Sequence, residues 1–256
     1  MFTEYKNAKI NFTSEGKGRP LVLLHGFLES LEIWKDFVPE LARERQVICI
    51  DLPGHGKSGC FGKIHTMQEM AGAVHRVLKE LKLNKVSLAG HSMGGYVSLE
   101  FLAKFPTMTR AVVLVNSTPA SDSAEKKENR DRATVLVQKN KKAYVKMAIS
   151  NLVSPADKEI FKKEVEELKT RAITTSAEGI AAALQGMKVR EDHTQLLKEF
   201  SGYKKILTGK EDPVMEYEII KILAETNNIA LETASGGHLS YIEDQTLLRK
   251  LLHFID

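Results

Sequence analysis

The chain alternates between short, continuously apolar runs and longer stretches in which apolar residues recur every three or four positions. Leu21-Val22-Leu23-Leu24, entered at Pro20 and ending at His25-Gly26, is the first such run. Gln46 to Ile50, Lys85 to Ala89 and Arg110 to Val115 repeat the pattern. Runs this short and this apolar suit strands buried on both faces, as in a parallel sheet. Between them, Ile33 to Arg43 puts Trp34, Phe37, Val38 and Leu41 on one side of a helix, and Met67 to Leu81 and Met93 to Lys104 read as two more. Lys9 to Thr13 alternates like a strand, and Glu15-Gly16-Lys17-Gly18 is a turn into the first buried run.

The rhythm then changes. From about Ala120 to Phe200 no buried strand is expected; the segment is rich in Lys and Glu, with helical apolar spacing at Ile160, Phe161, Val165 and Leu168 and a small-residue helix from Ile180 to Leu184. Alternation resumes with a strand at Lys204–Thr208, a helix from Pro213 to Glu225, a strand at Asn228–Leu231 and a final helix from Ser240 to the end. Alternating strands and helices imply a mostly parallel sheet covered on both faces. Residues 1–119 and 201–256 are therefore expected to form one α/β core. Residues 120–200 are expected to be a helical cap inserted over the edge where strands end, which is where ligands bind in such sheets.

Composition narrows the function classes. At 43% hydrophobic and 27% charged residues, the chain can bury a core and is not expected to be disordered. The 37 basic and 33 acidic residues are interspersed, leaving no concentrated basic face for nucleic acid. No apolar stretch approaches the roughly 18 residues of a membrane span. Met1-Phe2-Thr3-Glu4-Tyr5-Lys6 has no basic-then-apolar signal character, so a soluble cytoplasmic protein is expected. Cys49 reads as a buried strand residue and Cys60 as a loop residue; a disulfide between them stays open. Neither has a partner at metal-ligand spacing, and no metal or organic cofactor is expected.

The richest stretch is Gly90-His91-Ser92-Met93-Gly94-Gly95, which joins a buried strand to a helix with no intervening loop. A serine there projects from a sharp turn near the positive end of the following helix. Such a turn crowds its flanks, which explains glycine at positions 90 and 94.

With His25-Gly26-Phe27, Asp51-Leu52-Pro53-Gly54-His55-Gly56, Gly209-Lys210-Glu211-Asp212 and Gly237-His238, this motif makes the chain resemble the α/β-hydrolase superfamily along essentially its whole length. The resemblance implies Ser92 as nucleophile and an ester-like carbonyl as its target. A serine needs a base, and the base an orienting carboxylate. His238 is the candidate base. It follows the last strand in the loop Ser235-Gly236-Gly237, braced by the capping-box pattern Ser240-Tyr241-Ile242-Glu243. His65, His75, His193 and His253 lack such a turn, while His25, His55 and His91 precede or flank theirs.

Asp212 stands where the superfamily usually carries its acid, with Glu211 as the nearest competitor. Asp212-Pro213 is also a helix N-cap pattern, and both roles can coexist. Relatives with the acid after the earlier strand would need it at Asn116, which cannot serve. The order Ser92, Asp212, His238 is that of the fold. The resemblance further implies an oxyanion hole from the Met93 and Phe27 amides, with His25 bracing the second loop.

Gly54-His55-Gly56-Lys57-Ser58-Gly59 satisfies G-x-G-x-x-G, but no apolar-periodic helix follows it, so neither a dinucleotide nor a phosphate loop is expected. It reads as a turn beside the mouth of the site. For substrate contacts, His25, Tyr96, Met147, Leu152 and Met187 are candidates, and the lysines from Lys126 to Lys142 read as a solvated face.

The expected activity is hydrolysis of a small carboxylic ester, lactone or thioester, the partner being that small molecule. Two alternatives stand beside it. One is a lyase like the menaquinone-pathway synthase that eliminates pyruvate; that family usually has arginine four residues after the serine, where this chain has Tyr96. The other is a ligand sensor that keeps the hydrolase site and acts through a partner protein.

Overall fold

The computed structural model describes residues 1–255. One eight-stranded sheet runs through the described chain. Its strands are β1 (Phe2–Tyr5), β2 (Ala8–Glu15), β3 (Arg19–Leu24), β4 (Arg45–Ile50), β5 (Val86–His91), β6 (Thr109–Val115), β7 (Tyr203–Gly209) and β8 (Ala230–Ala234). They lie in the order β1-β2-β4-β3-β5-β6-β7-β8. The first two pairings, β1 with β2 and β2 with β4, are antiparallel; all others are parallel. The mostly parallel sheet expected from the buried runs is thus observed, and β3, β5 and β6 lie at its centre with their apolar residues wholly enclosed.

The helices are α1 (Val38–Leu41), α2 (Met67–Glu80), α3 (Met93–Lys104), α4 (Ala124–Ser150), α5 (Lys162–Ala172), α6 (Ala177–Lys188), α7 (Thr194–Glu199), α8 (Tyr217–Thr226), α9 (Ser240–Glu243) and α10 (Gln245–His253). The start of α2 is fixed by a capping box: the Thr66 hydroxyl accepts from the Glu69 amide while Glu69 reaches back to the Thr66 amide. Its buried face, Met67, Met70, Ala71, Val74, Val77 and Leu78, follows the helical period. Helix α3 is buried nearly all round, which brings Ser92 into the centre of the sheet edge. The inserted helices α4 to α7 lie between β6 and β7. A break at Asn140 divides α4, and the Asn140 side chain accepts from the Ala143 amide to restart it.

Several elements differ from the sequence pattern for local reasons. The helix expected over Ile33–Arg43 is a 3₁₀ turn at Leu31–Trp34 followed by α1, because Pro39 lacks the N–H a continuous helix would need. The helix expected from Pro213 begins only at Tyr217. The terminal helix breaks at Asp244, whose carboxylate accepts from the Leu247 amide and restarts it as α10. Both cysteines are free thiols, Cys49 buried and Cys60 exposed. Burial pushes the Cys49 thiol up to about 12. Among the described residues no helix is long and apolar enough to cross a membrane, and no group of His, Cys, Asp and Glu is arranged to hold a metal ion.

Candidate active site

Ser92 sits at the turn from β5 into α3 with φ 49° and ψ −114°, a left-handed conformation that a non-glycine residue holds only at a cost. The crowding around that turn is severe. A Cβ at position 90 would lie 2.2 Å from the Gly94 carbonyl, and one at position 94 would lie 2.5 Å from the Leu24 carbonyl oxygen. The two glycines are therefore a condition of the turn.

The turn points the Ser92 hydroxyl at His238, with Oγ 2.9 Å from Nε2. The other ring nitrogen, Nδ1, lies 3.0 and 2.9 Å from the two carboxylate oxygens of Asp212. The two side chains are almost fully enclosed, His238 at 3% and Asp212 at 0% exposure. Burial alone would raise the Asp212 pKa; the neighbouring His238 and the hydrogen bonds from His238, Asn116 and Met215 outweigh it and hold the carboxyl below its ordinary value. Asp212 Oδ1 also accepts from the Val214 and Met215 amides at 2.8 and 2.9 Å. It therefore caps a turn, not the helix expected to begin at Pro213. Glu211, the competitor for the acid position, makes no contact with His238 among the hydrogen bonds of the described residues.

The loop bearing His238 is held from two sides. The Leu152 carbonyl, from the turn after α4, accepts the His238 amide at 3.0 Å. Glu243 accepts from the Gly237, Leu239 and Ser154 amides at 2.9, 2.8 and 3.2 Å. The capping box expected at Ser240 is not formed: Leu239 takes the N-cap position and the Ser240 hydroxyl is buried without a partner. Glu243 still braces the loop, through more amides than a capping box would use.

The amides of Phe27 and Met93 have no acceptor within the described protein. Met93 is the first residue of α3, where the amides of an α-helix have no intrahelical acceptor. The residues expected to donate to an oxyanion thus have free donors beside Ser92.

A cavity of about 190 Å³ opens over Ser92 and His238, walled by Phe27, Tyr96, Tyr144, Ala148, Leu152, Met187 and Val214, with Arg130 at its polar side. Leu152, Met187 and Tyr96 line it. Met147 does not: it is 49% exposed, because the face of α4 toward the cavity carries Tyr144 and Ala148, four residues apart. His25 does not line it either. Its Nε2 accepts from the Leu52 amide at 2.9 Å, and Nδ1 lies 2.7 Å from the Gly26 carbonyl oxygen, so it braces the loop.

The Gly54–Gly59 turn lies away from the cavity, its His55 ring packing edge-on behind Phe27 at 6.1 Å. The Asp51 carboxylate fills that turn, accepting from the Lys57 and Leu31 amides and from Asn11. A larger cavity of about 340 Å³ shares Leu28 and Glu29 with this one but contains neither Ser92 nor His238.

Sequence reasoning missed several residues that shape the site. Arg130 comes from α4, its Nε held 3.2 Å from Asp122, a buried carboxylate that also pairs with Arg190 at 2.6 Å. Asn116 donates to Asp212 at 2.9 Å and to the Gly237 carbonyl at 3.0 Å. Glu29 and His91 form a buried pair behind the serine turn, 2.9 Å apart. The legible signals were His91, inside the serine motif, and Asn116, at the earlier acid position; the partner of His91 could not be read from spacing.

The chain is similar to known proteins along nearly all of its length. The family model described as the alpha/beta hydrolase fold matches residues 19–148. A protein of Mycobacterium phage D29, provisionally named a non-heme haloperoxidase, is 26% identical over 253 residues, covering 95% of this chain and 90% of its own. A Bacillus subtilis protein, provisionally named 2-succinyl-6-hydroxy-2,4-cyclohexadiene-1-carboxylate synthase, is 25% identical over 244 residues, covering 91% of this chain and 88% of its own. The structure of a thermophilic esterase from Thermogutta terrifontis superposes with a TM-score of 0.89 at 29% identity, over 96% of this chain and 92% of that one. With the family model covering half of its length and the same architecture superposing along nearly all of it, the chain belongs to the α/β-hydrolase fold family.

Proposed function

We propose that this chain is a serine hydrolase of small carboxylic esters, lactones or thioesters, working through an acyl-enzyme on Ser92. The observation that carries the reading is the hydrogen-bonded line from Ser92 Oγ to His238 Nε2 at 2.9 Å and from His238 Nδ1 to Asp212 at 2.9 Å. His238 takes the Ser92 proton as the hydroxyl attacks the carbonyl carbon. The resulting oxyanion rests on the Phe27 and Met93 amides, each contributing about 100- to 1,000-fold. The alcohol leaves with the proton from His238, and water, deprotonated by the same ring, releases the acid. Asp212 holds the imidazole tautomer and stabilises its charged form.

The small cavity supports a small substrate, since drug-sized ligands occupy roughly 300–1,000 Å³. Residues 120–200 act as the cap that selects it, Tyr144, Ala148, Leu152 and Met187 supplying apolar wall and Arg130 a cation. The 29%-identical Thermogutta terrifontis esterase supports ester chemistry.

Arg130 also favours a second reading, a lyase acting on a carboxylate-bearing substrate, because a guanidinium fork matches a carboxylate. The Bacillus subtilis relative is in keeping with that reading, and Tyr96, at the position four residues after Ser92, weighs against it.

The test is a panel of chromogenic esters of graded acyl length, run beside Ser92→Ala. Turnover that falls off with acyl length and disappears in the variant supports hydrolysis. Turnover retained in full by Ser92→Ala ends the proposal.

A further inference from the structure

Glu29 and His91 are each only 1% exposed, and the mechanism above uses neither. Glu29 Oε2 accepts from the Gly26 amide at 2.6 Å and lies 2.9 Å from His91 Nδ1; Oε1 accepts from the Tyr241 hydroxyl at 2.9 Å. On the far side of the ring, His91 Nε2 lies 2.8 Å from the backbone carbonyl oxygen of His238. Both nitrogens of His91 therefore face oxygen acceptors. An imidazole donates from both only when it is protonated. A neutral ring would turn a lone pair toward either the carboxylate or the carbonyl, a buried pairing of two acceptors that costs free energy.

The electrostatics agree with that geometry. Burial pulls the His91 pKa down, but the Glu29 carboxylate more than reverses it and leaves the ring above its ordinary value. Burial likewise pushes Glu29 up, and the charge and hydrogen bond of His91 bring it below the usual carboxylate range. The other groups facing the pair are the Tyr241 ring, edge-on at 5.0 Å, the His238 ring at 5.1 Å, and, further off, Asp212 and His25. Burial and Glu29 raise Tyr241 well above its ordinary value, so it remains a donor.

Each group that the pair touches belongs to a different part of the site. Gly26 precedes Phe27, whose amide is the proposed oxyanion donor. His91 precedes Ser92 at the serine turn. The carbonyl bonded by Nε2 is that of His238 itself. The packing is close: a Cβ at position 26 would lie 2.8 Å from Glu29 Oε2 and 2.9 Å from His91 Nδ1.

We propose that Glu29 and His91 are positioning residues whose buried ion pair holds the oxyanion loop, the serine turn and the His238 loop in register. The inference rests on the reading of Ser92 and His238 as nucleophile and base. It carries a pH consequence: as pH rises through the His91 pKa, the pair loses its charge and the register loosens, adding an alkaline limb to kcat.

The test uses the full-length chain, the short-chain ester it turns over best, and the Glu29→Gln variant, which keeps the shape and an acceptor for Gly26 but removes the charge. The expected result is a fall in kcat of about tenfold or more with KM little changed, since small misplacements of reacting groups are costly. The alkaline limb should also move to lower pH. Ring-nitrogen NMR of the unsubstituted, ¹⁵N-histidine-labelled protein supplies a readout that needs no variant: His91 should keep both ring protons to a higher pH than a free imidazole does. A Glu29→Gln variant with unchanged kcat and pH profile, or a His91 that loses its second proton no later than a free imidazole, overturns the inference while Ser92→Ala remains inactive. Ester turnover retained by Ser92→Ala instead overturns the underlying reading.

Discussion

One nitrogen of Asn116 donates both to Asp212 Oδ2 at 2.9 Å and to the Gly237 carbonyl at 3.0 Å, tying the carboxylate to the loop that carries His238. The arrangement has a cost, because the Asn116 Oδ1 is buried without a partner. A buried unsatisfied acceptor costs about 1–3 kcal/mol, and Asn116 also holds a positive φ of 46°. A residue kept at that expense is kept for its donor.

Replacing Asn116 by Ala should therefore separate stability from activity. The variant removes a hydrogen bond that holds the Asp212 carboxyl low, so its pKa rises toward the ordinary value. Steady-state kinetics should show kcat reduced by about tenfold, with the acid limb of the pH profile moved to higher pH. The unfolding midpoint should fall modestly: the unsatisfied Oδ1 goes, but the Gly237 carbonyl loses its donor and alanine holds a positive φ of 46° less readily than asparagine. A wild-type pH profile in this variant would contradict the role assigned to Asn116.

Arg130 should set a preference for substrates bearing a second, anionic group. Its Nε is engaged by Asp122, and the residue lines the cavity over Ser92. A hydrogen bond to a charged group contributes about 1.5–3 kcal/mol, or roughly 10- to 100-fold. The hemi-ester of a short dicarboxylic acid should therefore be preferred over the neutral ester of equal length by a factor in that range. The preference should vanish in Arg130→Met while neutral-ester turnover persists. Equal kcat/KM ratios in the two proteins would remove Arg130 from substrate selection.

The buried histidines His25 and His55, packed beside Phe27, should make the protein acid-labile. Burial lowers the His55 pKa to about 3 and lowers that of His25 as well. Below its ordinary value of 6.5, His55 binds a proton in the unfolded chain and not in the folded one. Stability is thus fully present above that value and is lost as pH falls toward about 3. Urea midpoints measured from about pH 8 down to about pH 5 should decline more steeply in the native protein than in His55→Gln. Identical slopes would show that His55 does not govern the transition.

Much of this was legible in the sequence, and the boundary is physical. The buried strands were readable because complete enclosure demands an unbroken apolar run, as in Leu21 to Leu24. Ser92 was readable because its turn tolerates only glycine at positions 90 and 94, both in the same local segment. His238 stood out by its glycine-bearing loop after the last strand, and Asp212 by the superfamily resemblance. Glu29 was hidden, since its partners Gly26, His91 and Tyr241 converge from three separate segments. Arg130 was hidden by its setting in a Lys- and Glu-rich helix, where one arginine facing inward looks like its neighbours. Met147 was misplaced for a related reason: helical phase decides which residue of a turn faces the cavity, and at the end of α4 that is Ala148.

Covalent catalysis at Ser92 can be read by intact-mass spectrometry after reaction with a fluorophosphonate. One adduct per native chain is expected, mapped by peptide digestion to Ser92, formed in parallel with loss of ester turnover and absent from Ser92→Ala and from heat-unfolded protein. Inhibition without an adduct on Ser92, or turnover that continues after Ser92 is fully modified, would contradict it.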